Sequence, residues 1–88
     1  MIYKLEFTHT ALTSLKKLDK SVATKVLSKL EWLSENLDLV RPVSLKGDFS
    51  GMFKLRVGNY RVIYSIDYEN FLITVHYVGH RREIYKGK

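Results

Sequence analysis

Residues 52–85 read MFKLRVGNYRVIYSIDYENFLITVHYVGHRREIY, and their pattern decides the fold. Phe53, Leu55 and Val57 alternate with Lys54 and Arg56, the period-two signature of a half-buried strand. Gly58-Asn59 follows, a dipeptide suited to a two-residue hairpin because both residues tolerate positive φ. Counting outward from that turn pairs Val57 with Tyr60, Arg56 with Arg61, Leu55 with Val62, Lys54 with Ile63 and Phe53 with Tyr64. One face then carries Phe53, Leu55, Val57, Tyr60, Val62, Tyr64 and Ile66, and the other gathers Lys54, Arg56 and Arg61. Like charges facing each other across a strand pair repel, so Arg56 opposite Arg61 reads as an arrangement that holds an anion.

A second turn centred on Glu69-Asn70 pairs Ile66 with Ile73, Tyr64 with Val75 and Val62 with Tyr77 on the same apolar face. The opposite face gains Thr74, His76 and Val78, with Val78 across from Arg61. The chain leaves this strand as Gly79-His80-Arg81-Arg82-Glu83-Ile84-Tyr85, which starts Arg81 and Tyr85 close to the Arg56/Arg61 end of the basic face. Two turns placed independently give one core face.

Toward the N-terminus, Ile2, Leu5 and Phe7 suggest a short first strand, and Thr8 or Thr10 can cap a helix with its hydroxyl. Leu12, Leu15 and Leu18 fall at helical spacing; His9 reads as a helix-entry residue. Asp19 or Ser21 can cap a second helix, whose stripe is Val22, Val26, Leu30, Leu33 and Leu37, broadened by Ala23, Leu27 and Trp32. Pro42 ends helical structure by about residue 40. Residues 45–51 read as a loop. The expected fold is α+β, in the order β-α-α-β-β-β: an antiparallel sheet, its first strand added at or beside it, with a two-helix hairpin on one face and the basic face open.

The 88 residues are expected to form one domain, residues 1–88. With no cysteine, no disulfide or thiolate metal site is possible, and a reducing cytoplasm is the expected location. The N-terminus does not read as a signal peptide, and no run approaches membrane-spanning length. The formal charge of +6 divides as +2 on residues 1–44 and +4 on residues 45–88, so the excess sits on the strands. Such a basic, aromatic-rich domain suits a polyanion such as nucleic acid, or an acidic protein.

The run LKGDFSGMFKLRVGNYRVIYSID, followed by VHYVGHRREIY, resembles the RelE branch of the RelE/ParE toxin superfamily, and the element order and length match it over almost the whole chain. The resemblance implies the RelE-like fold and a type II toxin–antitoxin toxin: an mRNA interferase that enters the ribosomal A site and cuts the messenger by attack of a ribose 2′-hydroxyl on the adjacent phosphate. It implies as partners the ribosome with its mRNA and a RelB-like antitoxin that covers the basic face. It implies no cofactor and no membrane, a monomer alone, and a possible heterotetramer with antitoxin.

By motif, Arg61 matches the hairpin arginine on the scissile phosphate, Arg81 the arginine after the last strand, at the phosphate or the leaving oxygen, and Tyr85 the terminal tyrosine that stacks or moves a proton. Lys54 and Arg56 occupy strand positions that are basic in the family, and Lys46 and Arg82 are expected RNA contacts. One departure is Met52, where some relatives carry a lysine.

This chemistry needs alignment, neutralisation of phosphate charge and proton transfer, without a metal or a covalent nucleophile. Guanidinium groups match phosphate oxygens and stay charged at every working pH. Blander readings exist for each residue: a solvated strand face for Lys54 and Arg56, surface charge for Arg61 and Arg81, a packed anchor for Tyr85. His76 is explained by cross-strand pairing with Ile63, and His76 with His80 lacks a third metal ligand. Tyr3, Tyr60, Tyr64, Tyr68 and Tyr77 read as core or turn residues. Two other functions fit the same fold: a ParE-like gyrase poison, against which the Arg81…Tyr85 ending argues, and a non-catalytic RNA- or antitoxin-binding module.

Overall fold

The computed structural model describes residues 2–86, Tyr85 and Lys86 by backbone alone. In chain order the elements are β1 (Lys4–Phe7), α1 (His9–Lys16), α2 (Lys20–Asn36), β2 (Val43–Ser44), β3 (Phe53–Val57), β4 (Tyr60–Asp67), β5 (Leu72–His80) and α3 (Arg81–Lys86), with single 3-10 turns at Leu37–Leu39 and Gly47–Phe49. No helix among the described residues is long and apolar enough to cross a membrane.

The hairpin forms with the register that counting from Gly58-Asn59 requires, from Val57 opposite Tyr60 to Phe53 opposite Tyr64. Gly58 alone of the pair has positive φ, at 58°, which is the primed turn with glycine first. The second turn spans four residues, with Asp67 opposite Leu72. The Asp67 carboxylate accepts from the Asn70 backbone at 3.1 Å and from its side chain at 2.9 Å, closing that turn.

The sheet order is β1-β5-β4-β3-β2, with β1 parallel to β5 and the other pairs antiparallel. The two-residue β2, which lay outside the sequence expectation, extends the far edge.

The β4–β5 ladder departs from the expected register halfway along. Ile66 opposite Ile73 and Tyr64 opposite Val75 are as counted, but beyond Tyr64 the pairs are Ile63–Tyr77, Val62–Val78 and Arg61–Gly79. His76 has no partner: it is the extra residue of a β-bulge. The expected pairs Val62–Tyr77 and Arg61–Val78 are therefore wrong. Val78 joins the core at 2% exposure, while Tyr77 moves to the other face beside Ile63. Thr8 staples the bulge from β1's end, its N–H donating to the Val75 carbonyl and its hydroxyl to that of His76 at 3.2 Å. The same hydroxyl accepts from the Ala11 N–H at 3.1 Å, so it also caps α1.

The core lies between the helices and one sheet face: Val26, Leu30, Leu33 and Leu37 meet Val62, Tyr64, Ile73, Val75 and Val78. On α1 the buried residues are Ala11 and Ser14, while Leu12 is exposed and Leu15 only partly buried; Leu18, expected on the same helix, lies past its end and is also partly buried. Leu27 and Trp32 do not widen the stripe; both are exposed, and Lys29 lies over the Trp32 ring at 5.0 Å. The largest correction concerns the second face, which is not left open. The C-terminal run forms α3, which packs on β4 and β5, and Ile63 and Ile84 are buried there.

Candidate functional site

The site grows from the hairpin tip. Arg61 directly opposes Arg56, and its guanidinium Nη1 donates to the carbonyl oxygens of Gly58 at 3.0 Å and Tyr60 at 2.9 Å. The carbonyl between them, that of Asn59, accepts from the Arg81 N–H at 2.8 Å. Three successive turn carbonyls thus hold two arginines at one end of the sheet. Arg61 is only 7% exposed and has no carboxylate partner among the described residues. A buried charge of this kind is costly unless something else compensates it. The Nε and Nη2 edge of its fork remains for that compensation.

Gly79, directly across from Arg61, carries no side chain, and the Tyr77 ring lies over that glycine. A Cβ at Gly79 would meet Tyr77 Cε2 at 2.8 Å. Burial raises the pKa of the Tyr77 phenol, and the Glu83 carboxylate raises it further, so the hydroxyl keeps its proton. Tyr64 on the core side is raised to about 12, first by burial and then by Tyr68.

A cleft of about 560 Å³ opens on the second face, over Ile63, Met52, Phe49 and Ile84, with Thr8, His76, Tyr77, Asp48 and Glu83 around it; no described arginine lines it. His76 Nε2 lies 2.8 Å from the Ser65 hydroxyl. The start of α3 is fixed by a reciprocal cap: the Arg82 N–H donates to His80 Nδ1 at 3.2 Å, and the His80 N–H donates to Glu83 Oε1 at 3.3 Å.

The expected site residues fall as follows. Arg56, Arg61 and Arg81 gather at the hairpin tip. Lys54 is half-buried one row away, opposite Ile63. Lys46, exposed, precedes the 3-10 turn whose Asp48 and Phe49 line the cleft, and Arg82 is exposed on α3. Tyr85 belongs to α3 by its backbone, and its side chain lies outside the described residues. Chemically, one fixed guanidinium, that of Arg61, with Arg56 opposite it and the backbone of Arg81 tied to the same turn, suits an anion such as a phosphate.

A family profile described as the ParE toxin of the type II toxin-antitoxin system parDE matches residues 5–85. Toxin RelG of Mycobacterium tuberculosis (strain ATCC 25618 / H37Rv) is 33% identical over 88 residues, 98% of this chain and 99% of that protein. The chain belongs to the RelE/ParE toxin superfamily. Among solved structures, the toxin-antitoxin complex RelBE2 of M. tuberculosis contains a chain that matches with a TM-score of 0.81 and 32% identity, over 92% of this chain and 94% of that one. A mutant of E. coli toxin RelE in the free state matches at 0.78 and 26%, over 98% and 90%. These likenesses place the protein in the RelE branch, as a type II toxin with the RelE fold.

For this RelE-branch toxin, residue-level reading missed Tyr77, assigned to the core, and the His80–Glu83 cap. The second had a signal, since a capping side chain followed three residues later by glutamate is a helix-start pattern. The first had none before the bulge was seen.

Proposed function

We propose that this toxin is a ribosome-dependent endoribonuclease that cuts messenger RNA in the A site by 2′-hydroxyl attack. The observation that carries the reading is Arg61, a residue only 7% exposed, opposite a second arginine and without a carboxylate partner among the described residues. A phosphate between Arg61, Arg56 and Arg81 compensates that charge. As O2′ bonds to phosphorus and the bond to O5′ breaks, the forks neutralise the growing charge on the phosphate oxygens, with Arg81 toward the leaving oxygen. Removing one such preorganised donor typically costs about 10²–10³ in rate. Lys54, Lys46 and Arg82 extend the contact along the RNA backbone, and Tyr85 takes the stacking or proton-transfer role of the family's terminal tyrosine. The partner is a RelB-like antitoxin, which is supported by the antitoxin complexes among the similar solved structures, and the basic face is where it would bind.

The test is induced expression with growth measurement and primer extension on a reporter messenger, for wild type and Arg81→Ala. Growth arrest with codon-positioned cuts that vanish in the variant supports the nuclease. Arrest with an intact messenger rejects it in favour of a gyrase target, and a folded protein without arrest leaves a binding module.

A further inference from the structure

We infer that Tyr77 is a further RNA-contacting residue of this site, its hydroxyl donating a hydrogen bond to the phosphate that Arg61 holds; the inference rests on the nuclease reading. Tyr77 and Gly79 are two residues apart on β5 and share a sheet face, and Arg61 lies on that face directly opposite Gly79. The bulge at His76 is what puts Tyr77 there, since the unbulged register turns its ring to the core.

The ring leans along the strand over Gly79, with Cε2 2.8 Å and Oη 3.0 Å from the position a Cβ would take. Directly opposed Cβ atoms stand about 4.5–5.5 Å apart, which puts Oη no farther than about 8.5 Å from Arg61 Cβ. An arginine side chain with a phosphate on its fork fills that span. The lean carries Oη toward the hairpin tip, the end at which Arg61 Nη1 meets the Gly58 and Tyr60 carbonyls.

Packing accounts for the ring and not for the hydroxyl. Gly79 is buried beneath the ring, the cover that an aromatic side chain gives a strand glycine, and phenylalanine would supply it equally. Tyr77 is half-buried and its hydroxyl is bonded to no described residue. No buried side-chain oxygen among the described residues goes without a partner, so Oη is open to solvent. It keeps its proton and is therefore a donor. The nearby Glu83 carboxylate is engaged through Oε1 by the His80 N–H. One strand pair thus presents, on one face, a guanidinium without a carboxylate partner and a hydroxyl without an acceptor. A phosphate satisfies both, one oxygen on the Arg61 fork and another accepting from Tyr77 Oη.

The experiment is single-turnover cleavage of a messenger on programmed ribosomes by the full chain, for wild type, Tyr77→Phe, Arg61→Met and the double variant. Circular dichroism at the assay temperature puts every rate on the basis of folded protein. Tyr77→Phe, which keeps the ring, should retain the wild-type melting temperature and cleave about 10–100-fold more slowly, the loss of a hydrogen bond to a charged group. Added to Arg61→Met, the same change should cost less than about threefold, because the phosphate is no longer seated beside Oη. Tyr77→Phe at the wild-type rate beside an inactive Arg61→Met overturns the inference and leaves the nuclease standing. Fully additive losses in the double variant put Tyr77 on another part of the RNA and overturn it too. A Tyr77→Phe that yields no folded protein makes the hydroxyl a structural group, with the same consequence. No cleavage by wild type overturns both the inference and the nuclease.

Discussion

The N–H of Arg81 donates to the carbonyl oxygen of Asn59 at 2.8 Å, tying the first residue of α3 to the hairpin tip. Because the tie is made by backbone, the Arg81 side chain is delivered to the arginine cluster without holding the helix in place. Arg81→Ala is therefore expected to retain the wild-type circular dichroism and melting temperature. Its cleavage rate should fall about 10²–10³-fold. Arg82→Ala, next along the helix and exposed, should change the rate less than tenfold, on the order of 1 kcal/mol.

The cap that starts α3 is separable from the chemistry of the arginines. His80→Ala or Glu83→Ala removes one half of the reciprocal pair. Each should lower the local stability of α3 by about 1 kcal/mol, read as faster amide hydrogen exchange in residues 81–86 with the sheet amides unchanged. Equal exchange in variant and wild type would refute the cap.

Gly79 is a packing requirement of the site. In Gly79→Ala the new methyl would stand 2.8 Å from the Tyr77 ring, which must swing aside. Overpacking of this type costs about 1–3 kcal/mol, and the low end is expected because the ring tip can move. The variant should fold, melt slightly lower, and show shifted Tyr77 resonances together with slower cleavage. Unchanged Tyr77 resonances would contradict the placement of its ring.

Tyr64 titrates at about 12 against an ordinary value of 10.0, because the core excludes its phenolate. The folded state thus holds its proton more tightly than the unfolded chain. The stabilising contribution is complete below about pH 10 and is lost as pH rises from there through about 12. Alkaline denaturation should be steep in that window. Tyr64→Phe, which keeps the ring, should flatten it; an identical alkaline profile would contradict the assignment.

Much of this was legible in the chain. Gly58-Asn59 set five strand pairs by counting alone, and Glu69-Asn70 set the first half of the next ladder. The Val26–Leu30–Leu33–Leu37 stripe named the helix face of the core. The motif reading named the family. The count failed at His76 because Val75, His76, Tyr77 and Val78 are apolar or aromatic on both parities, so periodicity carries no mark of an inserted residue. The partner of Arg61 was equally invisible, since Gly79 lies opposite it only because of the bulge. Helix α3 is too short and too charged for an apolar stripe, and the face it covers looked open for that reason.

Arg61 is only 7% exposed, and its proposed role is to hold the scissile phosphate. Its replacement by a flexible apolar side chain separates stability from activity, since a buried charge without a carboxylate partner contributes little to folding. The measurement is the melting temperature and the single-turnover messenger cleavage rate of Arg61→Met, taken on one preparation beside wild type. Arg61→Met is expected to melt at or above the wild-type temperature and to cleave at least about 100-fold more slowly, near 3 kcal/mol of lost transition-state stabilisation. A variant that cuts messenger at the wild-type rate, or one that unfolds because the arginine was a structural pillar, would contradict it.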